Sequence, residues 1–330
     1  MTGPIERPFA NDPNGAYFPE AAVFPKPVRT DNINMYRLMC TARPYTDRRE
    51  QILKVDVRNE YGTLRSTIMA SVSNYFHHEP INSTQEKFFR RSHPDRDRMV
   101  SEQKAFADVL EKYSVEILWA DTLKDRPLQV HARDASFAIG DKLVISGMRA
   151  PIRKGEDKGL ERILSGITSP VVRAHRGCVE GGDILVDGKR IFVGLGQRTE
   201  AEALSWLISE FGKQYDIVPV HLKKGILHLD TVFNIISNGK AVIFVDGIFK
   251  RDAELLKEIF DTVCVTKKEQ FSMGTNILSI NPDVVVAQPS NELSVRMFRD
   301  IGLYVETVDY SEIAKLGGGF RCSTCPLVRE

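Results

Sequence analysis

Cys322 closes the run Gly317-Gly318-Gly319-Phe320-Arg321-Cys322, so its sulfur sits in a turn freed of Cβ sterics, where the backbone can approach a ligand closely. Three further clusters each adjoin a strand-like run: Arg133-Asp134, Glu180-Gly181-Gly182-Asp183 and His228-Leu229-Asp230. Together they supply a nucleophile, a base and carboxylates, the components of a thiol-based active site. Taken alone, Cys322 reads equally well as an inert small core residue. The pair Cys322 and Cys325 also has the spacing of a zinc knuckle or a redox dithiol, but no second Cys/His pair stands at zinc spacing and no thioredoxin-like setting surrounds it.

Four motifs follow one another along the chain: RDASFAIGD from Arg133, EGGDILVDG from Glu180, HLDTVFNII from His228 and GGGFRCSTCPL from Gly317. In these residues and in their order the chain resembles the guanidino-group-modifying enzymes, namely arginine deiminases, dimethylarginine dimethylaminohydrolases and arginine amidinotransferases. The resemblance spans about residues 58 to 330. A guanidinium carbon is a poor electrophile, because resonance spreads its charge over three nitrogens. Attack needs a strong nucleophile and a proton for the departing nitrogen, which a thiolate and an imidazolium provide. The resemblance implies Cys322 as nucleophile, His228 as acid and base, and Glu180 as the carboxylate paired with both histidine and substrate. It places Asp134 and Asp230 on the remaining guanidine N–H groups. Asp183, beside glycines, is expected to orient its loop through backbone N–H groups. Arg198 matches a position that binds a substrate carboxylate in the family, and Arg149 or Arg153 is expected to add a second contact.

The elements that must position these residues repeat. ASFAIG-DKLVISG, DILV-DG-KRIFVGL, FNIIS-NG-KAVIFV and ILSI-NPD-VVVAQ each read as strand, tight turn, strand, with turn signals at Gly140, Asp187, Asn238 and Asn281 separated by 47, 51 and 43 residues. Helical patterns fill the intervals: Leu204, Leu207, Ile208 and Phe211 behind a Thr199/Glu202 capping box, then Leu255, Leu256, Ile259 and Phe260, then Leu293, Met297 and Ile301 before Gly302. A more divergent first unit, LRSTIMASV with the Val109-Leu110-Tyr113 helix and VEILWA, brings the count to five. One such unit cannot bury its own apolar face, so five imply closure into a ring. The expected fold is therefore the five-bladed α/β propeller (pentein) that the resemblance also implies, with ββαβ-type units over residues 58–330 and the motifs converging on its axis. Residues 1–57, which carry seven of the sixteen prolines by position 50, read as an N-terminal arm that packs over the domain or against a neighbouring subunit of a homo-oligomer.

In the 330-residue chain, 45 basic residues balance 44 acidic ones, which gives no field for nucleic acid or an anionic membrane, and no apolar run approaches a bilayer span. The basic stretch from Lys87 to Arg98 is interleaved with Asp95 and Asp97 and reads as a solvated surface. An odd five cysteines scattered through the chain, without a signal-peptide pattern at its start, point to a reduced, cytoplasmic protein. The expected activity is hydrolysis of a C–N bond in arginine or a substituted arginine, giving a ureido product plus ammonia or amine, without metal or organic cofactor. Two alternatives stand beside it: an arginine amidinotransferase, which the Cys-x-Thr-Cys tail resembles, and a non-catalytic arginine-binding member. Glu180 and the Pro326-Leu327 continuation resemble the hydrolases.

Overall fold

A computed structural model describes residues 53–330. Fifteen strands among them form five three-stranded sheets. Strands β1 (Leu64–Met69) and β2 (Glu116–Trp119) run parallel, joined by a crossover that includes the helix Arg96–Lys112. The next unit is β3 (Ser136–Ile139), β4 (Lys142–Ile145) and β5 (Val171–Arg173). It is followed by β6 (Ile184–Asp187), β7 (Arg190–Leu195) and β8 (Asp216–His221), then β9 (Phe233–Ser237), β10 (Lys240–Ile243) and β11 (Asp261–Cys264). The last complete unit is β12 (Leu278–Asn281), β13 (Val284–Ala287) and β14 (Tyr304–Thr307). In each of these four the first two strands are an antiparallel hairpin and the third pairs parallel to the second after a crossover. The final strand, β15 (Cys325–Arg329), returns to pair antiparallel with β1. The fifth sheet is thus shared between the start and the end of the described chain, and the ring is closed by backbone hydrogen bonds.

This is the five-bladed α/β propeller expected from the repeat. The hairpin tips fall at the expected turn residues. Gly188 and Gly239 take φ of +60° and +68° there, a conformation that only glycine enters without cost. Burial grades outward through each blade. Strands β3, β6, β9, β12 and β15 are enclosed along nearly their whole length, whereas β2, β5, β8, β11 and β14 are partly exposed. An inner strand is covered on both faces and so reads as a continuous Val/Ile/Phe run, as Phe233, Ile235 and Ile236 show.

The helical expectations hold in place and shift in facing. The helix Ala201–Phe211 buries Ala203, Trp206, Leu207 and Phe211, leaving Ile208 51% exposed, because the inward stripe lies one position from the one expected. Its N-cap is Glu200, without a side-chain cap bond, so the Thr199/Glu202 capping box does not form. In the helix Glu292–Asp300, Val295 and Phe298 lie deeper than Leu293 and Met297, and Gly302 follows at φ +92° as expected. Residues 1–52 of the expected arm lie outside the described residues. Its last five residues bridge Leu53 to Ile167, Asp56 to Val328 and Val57 to Gly140. Among the described residues no helix is long and apolar enough to cross a membrane.

Candidate active site

Every polar residue singled out in the motifs, apart from the arginines, lies in a short turn just before an inner strand. Asp134 precedes β3, Glu180 and Asp183 precede β6, His228 and Asp230 precede β9, and Cys322 precedes β15. The remaining blade supplies Asn276, two residues before β12. The contacts among these side chains show that the blades deliver them to one enclosed cluster. Cys322, His228, Glu180, Asp134, Asp230, Asp183 and Asn276 are each at most 1% exposed.

The thiol is held by two of these groups. Asn276 donates from Nδ2 to Cys322 Sγ at 3.1 Å, and its Oδ1 accepts from the Cys322 backbone N–H at 3.0 Å. Asp230 Oδ2 lies 3.4 Å from the sulfur and is itself fixed by Arg321 Nη1 at 2.8 Å. Arg321 in turn donates to Glu60 at 3.1 and 3.2 Å, and the two guanidiniums Arg321 and Arg133 hold the Glu60 carboxyl down to about 2 against the cost of burial. The glycine run matters here for packing. A Cβ on Gly318 would stand 2.6 Å from His131 Cε1 and 2.9 Å from Cys322 Cβ, and Gly317 has φ +96°. Burial raises the Cys322 thiol well above its usual range, and the Asp230 and Asp134 carboxylates push it in the same direction against Arg321 and Asn276.

His228 faces the other carboxylates. Its Nε2 is 2.8 Å from Glu180 Oε2, and its Nδ1 is 3.6 Å from Asp134 Oδ1. Gly182 lets the ring in, since a Cβ there would lie 2.7 Å from His228 Nδ1. Burial alone would keep this imidazole neutral, but Asp134, Asp183 and Glu180 outweigh it and raise its pKa to about 9. Glu180 is held below its ordinary value despite burial, chiefly through His228 and also Arg198 and Arg153. Asp183 accepts from Leu229 N–H at 2.8 Å and from Thr199 Oγ1 at 2.7 Å, the loop-orienting arrangement expected of it, while burial lifts it to about 7. Thr199 is therefore engaged with Asp183 and Glu180 N–H instead of capping the following helix.

The arginines are distributed differently from the sequence expectation. Arg198 is buried with Nη1 3.4 Å from both Glu180 oxygens and Nη2 on the Ile81 carbonyl. Arg149 sends only its backbone N–H inward, to Glu180 Oε1 at 2.9 Å; its half-exposed guanidinium pairs with Glu200 outside the cluster. Arg153 is the one that enters, with Nη1 2.5 Å from Asp134 Oδ2 and its remaining nitrogens on Glu156, Leu128 O and His131 O. Asp134 thus pairs with Arg153, and the neighbouring Arg133 turns toward Thr324 O and Glu60.

Several buried polar atoms in this enclosure make no hydrogen bond within the protein: Asp230 Oδ1, both ring nitrogens of His131, and Asp134 Oδ1 and His228 Nδ1, which face each other at 3.6 Å. Buried polar atoms of this kind are satisfied by water, an ion or a polar ligand, or serve a catalytic role. Asp134, Glu180 and His228 also offer three ligand atoms within 4.8 Å of one another, a grouping that no sequence spacing reveals. Arg153 and Arg198 already face its two carboxylates, which leaves it short of the anionic charge a divalent ion needs. Cys322 and Cys325 do not share partners, since Cys325 Sγ accepts from Ser136 Oγ at 3.4 Å.

Comparison with known proteins agrees with this architecture. Residues 72–329 match the sequence profile described as N,N dimethylarginine dimethylhydrolase, eukaryotic. The uncharacterized protein YkgA of Bacillus subtilis is 35% identical over 282 residues, covering 84% of this chain and 96% of YkgA. The arginine deiminase of Lentilactobacillus hilgardii is 31% identical over 249 residues; the match covers 60% of this chain and 59% of the deiminase, so the chain spans about three-fifths of that relative. Among solved structures, the amidinotransferase SxtG from Microseira wollei superposes with a TM-score of 0.71 at 17% identity, over 84% of this chain and 97% of that one. The N-terminal domain of the cyanobacterial arginine dihydrolase ArgZ gives 0.72 at 19% identity, over 80% and 97%. These two share the fold.

Proposed function

The chain belongs to the N,N-dimethylarginine dimethylhydrolase family, within the guanidino-modifying pentein superfamily, and from that footing we propose that it is a cysteine-dependent guanidine hydrolase. The observation that carries the reading is the pair of orphaned, buried carboxylate oxygens, Asp134 Oδ1 and Asp230 Oδ1, in the enclosure that holds Cys322. Each carboxylate is paired through its other oxygen, Asp134 with Arg153 and Asp230 with Arg321, which leaves one oxygen of each to accept the N–H groups of a planar guanidinium.

In this mechanism the guanidinium sits between Asp134 and Asp230. Its charge offsets the two carboxylates that hold the thiol up, so the Cys322 proton is lost to solvent as substrate binds. The thiolate forms a C–S bond to the guanidine carbon. Protonated His228, kept charged by Asp134, Asp183 and Glu180, gives its proton to the departing nitrogen, and that C–N bond breaks. A covalent thiouronium remains on Cys322. Neutral His228 then takes a proton from water, the resulting hydroxide adds to the same carbon, the C–S bond breaks to return the thiolate, and the added hydroxyl loses its proton to solvent as the ureido product leaves. Arg198, which faces Glu180 and the Ile81 carbonyl in the free protein, would turn from them to receive the substrate carboxylate assigned to it. Asp183 and Thr199 hold the His228 loop.

The test is mass spectrometry of products from a panel of guanidino compounds, with and without glycine or ornithine. Ureido product and released ammonia or amine without an acceptor are expected. A new guanidino compound formed only when the acceptor is present would replace hydrolysis by amidino transfer.

A further inference from the structure

We propose that the protein holds a small monovalent inorganic anion, of chloride size, where the closing strand of the ring meets the segment leading into β1, bound by the guanidinium of Arg329 with that of Arg133 beside it. The ligand is a counter-ion of the fold and not a substrate, so the site does not depend on the hydrolase reading.

Glu60 is the hub of this region. Its carboxylate accepts from Arg321 Nε at 3.2 Å and Nη2 at 3.1 Å and from the Val186 N–H at 3.2 Å, while Arg133 Nη1 stands 3.8 Å away. Arg329 is the third guanidinium. It lies in β15 opposite Leu64 of β1, its backbone N–H donates to the Asp56 carbonyl at 2.8 Å, and its Nη1 donates to Gly62 O at 2.6 Å. All four residues are at most 5% exposed. The last strand of the ring, the segment before β1 and the turn before β3 thus gather three buried cations around one carboxylate.

Three nitrogens of this group make no hydrogen bond among the described residues: Arg133 Nη2, Arg329 Nε and Arg329 Nη2. Water satisfies such N–H groups but leaves their charge uncompensated, and the charge is what sets this place apart. Glu60 is shared with Arg321 and Arg133, and among the described residues it is the only carboxylate that acts on Arg329, which both other guanidiniums oppose. Arg321 also draws on Asp230 at 2.8 Å, so two carboxylates answer three guanidiniums and one positive charge is left over. The acids nearest Arg329 in sequence turn to solvent: Asp56 pairs with Arg58 and Glu330 with Arg65, and all four of those side chains are 47% or more exposed. Cys325, beside Arg133, is kept neutral by burial. Burial takes the Arg329 guanidinium down to about 9, which leaves it charged at neutral pH. A buried charge needs a counter-charge, and one excess positive charge with donors only selects a monovalent anion.

The test is thermal unfolding of the full chain at fixed pH and ionic strength, with sodium gluconate replaced stepwise by sodium chloride. Tm should rise by about 2 °C or more for each tenfold increase in chloride above its dissociation constant. Arg329→Met, which keeps an aliphatic stem and removes the donors and the charge, should lose that increment. A Tm indifferent to the exchange, or a chloride increment that persists in Arg329→Met, would overturn the proposal. Crystals of the wild-type protein grown in bromide decide the matter without a variant, including the case in which Arg329→Met does not fold. An anomalous peak within hydrogen-bond distance of Arg329 Nε or Nη2 supports the site. Water or a carboxylate of the protein at those nitrogens, with bromide confined to exposed surface, sinks it.

Discussion

Asn276 holds Cys322 at two points, accepting from its backbone N–H at 3.0 Å and donating to its sulfur at 3.1 Å. The same Oδ1 also takes the Gly319 N–H at 3.0 Å, so one amide sets both the turn and the thiol. A donor aimed at a developing thiolate is worth more inside an enclosure than in water. Asn276→Ala should lower kcat by about 100-fold, the scale of a lost oxyanion-type donor, with a smaller change in KM. Steady-state kinetics checks it, and a change confined to KM would assign Asn276 to binding.

The position of Asn276 shows how far the sequence can be read. It stands just before an inner strand, the place that supplies Asp134, Glu180, His228 and Cys322 in the other blades, so the repeat itself marks it. Local signals carried the hairpins, because Asp187-Gly188 and Asn238-Gly239 encode a positive φ in adjacent residues. Pairing between β1 and β15 lies hundreds of residues apart and leaves no local trace. The buried arginines were the least legible. Arg149, Arg153 and Arg321 are alike in sequence, and only the packed fold sends Arg149 outward to Glu200 while Arg153 and Arg321 enter to hold Asp134 and Asp230. Thr199 imitates a helix cap because the same hydroxyl chemistry serves Asp183.

Cys322 and Cys325 are both buried, but only Cys322 lies beside Asp230 and Asn276. Cys322→Ser should abolish turnover, and a thiouronium adduct trapped by acid quench should map to Cys322. Cys325→Ser, at a site whose neighbours are Ser136 and the β1 strand, should retain most activity. The reverse pattern would move the nucleophile.

The raised pKa of His228 has a definite effect on stability. Protonation is favoured in the folded state, from 6.5 up to about 9, so its contribution is complete below pH 6.5 and is lost as pH rises through 9. Asp183 and Glu156, raised by burial to about 7, act in the same direction over a lower window, from the ordinary carboxylate range up to 7. The apo protein should therefore melt at progressively lower temperature from pH 6.5 to 9. His228→Gln should flatten the upper part of that slope, and an equally steep decline in the variant would remove His228 as its source.

Asp134, Glu180 and His228 come close enough together to be tested as a metal site. Arg153 and Arg198 sit on its carboxylates, so exhaustive EDTA treatment should leave turnover unchanged within error. Loss of activity restored by zinc or manganese would give the triad a metal.

The free thiol and the liganded thiol should titrate differently. In the free protein, burial and the Asp230 and Asp134 carboxylates outweigh Arg321 and hold Cys322 protonated at neutral pH. A guanidinium between those carboxylates reverses the sign of the nearest field, so binding and thiol ionisation assist each other. The ultraviolet thiolate absorbance of the Cys325→Ser protein should rise only at alkaline pH when it is free. With a slowly reacting guanidine bound, the same rise should shift to lower pH by one unit or more, each unit being about 1.4 kcal/mol of coupling. A transition already complete near neutrality in the free protein, or one that the ligand does not move, would require a thiolate formed without help from substrate.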